Sequence, residues 1–201
     1  MKKIVIIGAS GHGKVVADIA RLNGYEEILF LDDNKEIEKC GEYNVVGTTD
    51  IFEQFDSEFV VGIGDSGIRK KLMNRLEKSN KRIVTLIHPN AVIAEDVIIG
   101  NGSVVMAGAV INPGTRIGIG AIINTCSSVD HDCIIGNYVH VAVGAHICGS
   151  VMIGDNTWMG AGSLAINNIH ICENCMIGAG AVIIKNLDES GMYIGVPAIR
   201  K

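Results

Sequence analysis

From residue 93 onward an aliphatic side chain returns at every sixth position, and no other feature of the chain narrows its fold as much. Stepping by six from Ile93 reaches Ile99, Val105, Ile111, Ile117, Ile123, Val129, Ile135, Val141, Ile147, Ile153, Met159, Ala165, Ile171, Ile177 and Ile183. Fourteen of these sixteen positions are Ile or Val, a phase too long-lived for chance. Two residues earlier in each hexad the side chain is small or β-branched, as at Ala91, Ser103, Ala109, Thr115, Ser127, Cys133 and Ala181. An α-helix needs spacings of three and four, and an ordinary strand alternates by two. A six-residue period instead fits a triangular coil with one short strand per side and about 18 residues per turn. Stacked coils rise about 4.8 Å each, so about five turns make a prism roughly 25 Å tall. The register never breaks, so no long loop interrupts the prism and any active site lies on its surface.

Residues 1–85 follow a different rhythm. Lys3 to Ile7, Glu27 to Leu31 and Phe59 to Ile63 read as apolar strands, with a short one at Ile83 to Leu86. Helical spacing occupies Val15 to Asn23 and Ile68 to Lys78 between them. Strands alternating with helices predict a small parallel sheet, an α/β Rossmann-like domain. His88-Pro89 punctuates the change of rhythm. The expected division is therefore an α/β domain over 1–85, an all-β hexapeptide prism over 86–185 and a tail over 186–201.

Composition removes several function classes. The net charge of -5 and the lack of a basic stripe give no footprint for nucleic acid. No apolar run approaches the roughly 20 residues of a bilayer span. The opening MKKIVII run leads directly into a glycine-rich turn, which reads as a strand and not as a signal peptide. Six cysteines without a secretory signal are expected to stay reduced, in a cytoplasmic protein. Cys172 and Cys175 form a single CxxC with no second pair at zinc spacing, so they are read as structural and no metal is expected.

Two stretches carry chemistry. The turn Gly8-Ala9-Ser10-Gly11-His12-Gly13-Lys14 has P-loop spacing, but Val15 stands where a magnesium-binding hydroxyl would be. As a strand-turn-helix it offers backbone N–H groups to an anion, and Asp32 and Asp33 end the next strand about 20 residues on, where an acid bonds a ribose or base edge. The region is too short for a dinucleotide fold and suits a sugar nucleotide. In the prism, Asp130-His131-Asp132 places a histidine between carboxylates, two residues past an inward site. Such flanking raises basicity and orients the ring, which suits a general base. His140, His146 and His170 share one phase just before the inward sites and are expected at the edge. Cys126 and Cys133 are conceivable acyl acceptors, but Cys133 falls on the small inward site.

The stretches GASGHGKVV, LDD, GIG followed by IRKK, IHPNA, NTCSSVDHDCIIG, VHVAVGAH and GVPA resemble the bacterial nucleotide-4-amino-sugar N-acetyltransferases, within the sialic acid O-acetyltransferase family of hexapeptide-repeat acyltransferases. The resemblance implies a Rossmann-like sugar-nucleotide domain followed by a left-handed β-helix, assembled as a homotrimer with sites between subunits. It implies acetyl-CoA as co-substrate and a UDP-linked 4-amino-4,6-dideoxy sugar as acceptor, in glycan biosynthesis. His131 falls on the family's catalytic base and Asp132 on its acidic neighbour, where relatives carry the longer Glu. His140, Ala161 and Ala179 fall on coenzyme contacts. Ser10, Gly11, His12, Asp32, Asp33 and Gly64 fall on sugar-nucleotide contacts. Rival readings are O-acetylation of sialic acid or a related sugar, a non-catalytic sugar-nucleotide-binding module, and an NAD-dependent oxidoreductase, the last disfavoured by the short first domain.

Overall fold

The computed structural model describes residues 1–201, which divide into two compact units, Met1–Pro89 and Asn90–Lys201.

The first unit is built on a four-stranded parallel sheet. Its strands are β1 (Lys3–Ile7), β2 (Glu27–Leu31), β5 (Glu58–Val61) and β6 (Arg82–Ile83), in the order β2-β1-β5-β6. The central strand is a continuous apolar run because both its faces are covered: Ile4 to Ile7 are at most 1% exposed. Helix α1 (Gly11–Leu22) buries Val16, Ala17, Ile19 and Ala20 on one stripe. Helix α2 (Ser66–Lys78) is N-capped by Asp65, whose carboxylate accepts from the Ile68 N–H at 2.8 Å, and buries Leu72, Met73 and Leu76. The third strand ends at Val61 instead of Ile63, since Gly62 to Asp65 form the turn that caps α2. That turn packs tightly on the glycine-rich one. A Cβ on Gly13 would lie 2.1 Å from the Gly8 carbonyl oxygen, and one on Gly62 3.1 Å from the Gly13 Cα. A hairpin of β3 (Lys39–Cys40) and β4 (Tyr43–Asn44) and a 3-10 helix at Thr49–Gln54 occupy the stretch that periodicity left unassigned.

The second unit is a parallel β-helix of about six turns. Two-residue strands stack 18 residues apart into three faces. The first runs from Val92–Ile93 to Val182–Ile183, the second from Ile98–Ile99 to His170–Ile171, and the third from Val104–Val105 upward. From Val105 to Ile183 every sixth residue is at most 3% exposed, each full aliphatic burial contributing roughly 1.5–3 kcal/mol. The small inward positions carry a second function where they bear a hydroxyl. Thr115 Oγ1 donates to the Asp130 carbonyl at 2.7 Å and accepts from the Cys133 N–H at 3.1 Å. Ser103 and Thr157 make the same bridge at Gly118/Ala121 and Cys172/Cys175. These hydroxyls pin the corners from inside.

Each corner from Ile99 to Ile177 has one left-handed residue, three past the inward aliphatic. Gly102, Gly108, Gly114, Gly120, Gly144, Gly162 and Gly180 supply it, and elsewhere Cys126, Asp132, Tyr138, Ser150, Asn156, Asn168 and Asn174 take φ of 54–60°. The segment expected as a tail adds a further rung: Gly191–Ile194 pairs in parallel with Cys175–Ile177 and antiparallel with Ile199–Arg200.

Candidate active site

His131 and Asp132 occupy a corner between the first and second faces. The corner is held at Asp130, whose Oδ1 accepts from Asn112 Nδ2 and from the His131 N–H, both at 2.8 Å. Asp132 is the left-handed residue of this turn, φ 58°, and that conformation brings its carboxylate back over the preceding side chain. Asp132 Oδ2 lies 2.9 Å from His131 Nδ1. An ionised carboxylate only accepts, so Nδ1 carries the proton and Nε2 keeps the lone pair. The short acid therefore reaches the ring. Both side chains are solvent-accessible, 57% and 67% exposed. The hydrogen bond to Asp132, then the charge of Asp130, holds the His131 pKa above its ordinary value. Hydrogen bonds from Asn112 and the His131 N–H hold the Asp130 carboxyl below its own.

His140 departs from the edge position that its hexad phase predicts, while His146 and His170 are exposed as expected. His140 is 4% exposed, since Trp158 on the next rung stacks over its ring with centroids 4.1 Å apart. Asn124 Nδ2 lies 3.0 Å from His140 Nε2. The Asn124 Oδ1 already accepts from the Thr125 N–H at 2.8 Å, so its amide donates and His140 Nε2 accepts. Ala161 and Ala179 are exposed, one coil apart on the corner between the third and first faces, where the Gly180 N–H donates to the Ala161 carbonyl at 2.9 Å. The element order thus puts His131 at one edge of the first face and Ala161 and Ala179 at its other edge.

In the first unit a cavity of about 220 Å³ is lined by Gly8, Asp32, Asp33, Thr49, Lys71 and Arg75 among others. Asp32 Oδ2 accepts from the Ala9 N–H at 2.6 Å and Oδ1 from the Asn34 N–H at 2.9 Å. Asp33 Oδ1 accepts from the Thr49 N–H at 2.8 Å. Both acids therefore shape the loops around the cavity. Gly64 meets the fully buried Arg69, whose Nη1 donates to the Gly64 and Ile63 carbonyls at 2.7 and 2.9 Å. His12 is half-buried, and its partial burial, then the charge of Arg69, lowers its pKa to about 4. Ser10 is the N-cap residue of α1 without a side-chain cap bond, and Gly11 is the first helical residue.

Residues 3–76 match the family described as the PglD N-terminal domain, and residues 84–113 match bacterial transferase hexapeptide repeats. The chain is 36% identical to the acetyltransferase domain of PglB from Neisseria gonorrhoeae, solved with acetyl coenzyme A, covering 100% of this chain and 99% of that one with a TM-score of 0.96. It is also 36% identical to PerB from Caulobacter crescentus, solved with CoA and GDP-perosamine, over 100% and 98% of the two chains with a TM-score of 0.94. This chain belongs to the nucleotide-amino-sugar N-acetyltransferases of the hexapeptide-repeat family. A curated relative, the UDP-N-acetylbacillosamine N-acetyltransferase of Bacillus subtilis, is 32% identical over 53% of this chain, and this chain spans about half of that relative's length, 52%.

Sequence reasoning about this N-acetyltransferase missed several residues. Asn124 and Trp158, which fix the state and packing of His140, become visible only when residues 16 and 18 apart are stacked. Thr49, Lys71 and Arg75 reach the first unit's cavity from elements whose periodicity reports only their buried faces. Cys133 is buried as its hexad site predicts, and burial pushes its thiol pKa up, against a nucleophilic role. Cys172 and Cys175 are free thiols with sulfurs 3.5 Å apart, and Cys175, pushed up to about 12 by burial and then by its Cys172 contact, is protonated.

Proposed function

We propose that this protein transfers an acetyl group from acetyl-CoA to the 4-amino group of a UDP-linked 4-amino-4,6-dideoxy sugar, with His131 as general base. The observation that carries this reading is the His131–Asp132 pair, a half-exposed imidazole with Nδ1 tied to a carboxylate and Nε2 left basic. Free amines of this kind are mostly protonated near neutrality, with pKa about 8. The deprotonated amine attacks the thioester carbonyl, His131 Nε2 takes the proton that nitrogen sheds, and the C–S bond breaks to release the coenzyme as thiolate. Backbone N–H groups of the prism are suited to stabilise the oxyanion. His140 contributes no Nε2–H to that task, since its Nε2 accepts from Asn124.

Within one chain the base and the coenzyme-side residues Ala161 and Ala179 sit at opposite edges of the first face, so a site using both requires two copies. That face carries Val92, Val110, Leu164 and Val182 outward, which supports a homotrimer. Cavity residues Asp32 and Asp33 and the turn from Ser10 to His12 are assigned to the nucleotide. No helix is long and apolar enough to cross a membrane, and a cytoplasmic location, where both substrates are made, belongs to the same proposal.

The test is thiol release from acetyl-CoA with a panel of UDP- and GDP-linked 4-amino sugars, together with sialic acid. His131→Ala should lower turnover by roughly 10²–10⁴ while both substrates still bind. Near-normal turnover in that variant would remove His131 as base, and faster reaction of a GDP sugar would reassign the nucleotide.

A further inference from the structure

Glycine in this prism is confined to two places in the hexad, with one exception. Nine of the sixteen coil corners place glycine one or three residues after the inward aliphatic, at positions such as Gly118 and Gly136 or Gly108 and Gly144. Those three residues after it supply a left-handed φ, and those one residue after it admit the backbone or turn of the next coil, as Gly118 does for Gly136 and Asn137 at 2.6 Å. The position two residues after the inward site points outward and holds, in chain order, Glu95, Asn101, Ala107, Pro113, Ile119, Thr125, His131, Asn137, Val143, Gly149, Asp155, Ala161, Asn167, Glu173, Ala179 and Lys185. Gly149 alone is glycine there, and it stands 18 residues after His131, directly on the next coil.

Neither usual reason for glycine applies to it. Gly149 is not among the glycines with positive φ, so its backbone admits alanine. The three atoms nearest to where its Cβ would stand belong to a side chain, not to the backbone. A Cβ built on Gly149 would lie 2.5 Å from His131 Nε2, 2.6 Å from Cε1 and 3.1 Å from Cδ2. The space left by the missing methyl is occupied by the imidazole.

We propose that Gly149 is a positioning residue for acetyl transfer: its bare Cα is the platform that lets the His131 ring lie where Nδ1 reaches Asp132 and Nε2 faces substrate. A methyl group there forces the ring to rotate, because contacts of 2.5 Å are not tolerated. His131 is half-exposed, so it swings into solvent at little cost in stability. It thereby gives up the 2.9 Å contact with Asp132 that fixes its tautomer and raises its basicity. The loss falls on orientation at the reacting atom, where small displacements are costly.

This inference rests on His131 being the base, and its test separates the two. Gly149→Ala should unfold at the wild-type temperature, keep both Michaelis constants within about twofold, and lose between about tenfold and a hundredfold in turnover. The His131 titration, followed by NMR and identified by its absence from H131A, should move down in G149A towards the ordinary histidine value. In the H131A background, G149A should cause no further loss. Wild-type turnover in G149A, an unmoved His131 titration, or an equal further loss without the ring would each overturn the proposal. Should G149A prove less stable, the H131A/G149A double variant must recover that stability, since the ring it would strike is gone; failure to recover refutes the contact. Near-normal turnover of H131A would instead defeat the assignment of the base.

Discussion

A carboxylate one residue after a histidine does not ordinarily reach its ring in an extended chain. Here it does because Asp132 is left-handed at φ 58°, a conformation that Asp tolerates better than Glu. The chemical consequence is testable by charge removal. Asp132 is the main stabiliser of the protonated His131, ahead of Asp130. The proposed base works only when neutral, so turnover should fall as pH drops through the His131 pKa, which stands above the ordinary 6.5. In Asp132→Asn the amide oxygen still accepts from Nδ1 but the charge is gone, so the imidazolium is less favoured. The acid limb of the kcat profile should therefore move to lower pH, with a smaller plateau loss than for H131A. An unmoved or upward-moving limb would detach Asp132 from the base. This pair was legible in the sequence because its groups are neighbours in the chain. Gly149 and Asn124 were not, because what makes each matter lies 16 or 18 residues away, across a coil.

At the scale of one coil, the strand is two residues and the turn is four, so stability rests on corners as much as on strands. The aliphatic period marked the strands plainly, whereas the β3–β4 hairpin in the first unit escaped notice because its two-residue strands occur once, with no repeat to reveal them. The corners allow conformation to be separated from space. Gly144 has φ 61° and nothing within 4 Å of where a Cβ would stand, so its only requirement is the left-handed backbone. Gly144→Ala should cost about 1–2 kcal/mol, read by denaturant unfolding, whereas Gly144→Asn should cost less, as Asn already serves at Asn156, Asn168 and Asn174. Equal costs for the two would mean that left-handedness is not what glycine provides. The contrast with Gly149→Ala, expected to leave stability unchanged, makes the pair informative about each other.

Across the whole molecule, the proposal gives each of two units with unrelated architectures one kind of recognition. The α/β unit presents a glycine-rich turn beside two acids, as its strand-turn-helix pattern indicates, yet the acids turn out to hold loops as well as face the cavity. Asp32 is the informative one, because its two oxygens tie Ala9 to one side and Asn34 to the other. Removing it loosens the turn that is assigned to the nucleotide. Loss of a charge-assisted hydrogen bond costs roughly 1.5–3 kcal/mol, and binding of the reacting and unreacted substrate should weaken together. Asp32→Ala should therefore raise the Michaelis constant for the nucleotide sugar by about tenfold or more, with kcat at saturation nearly unchanged. The constant for acetyl-CoA should stay close to wild type. A rise confined to acetyl-CoA would exchange the roles of the two units. A fall in kcat alone would instead place Asp32 in the chemistry.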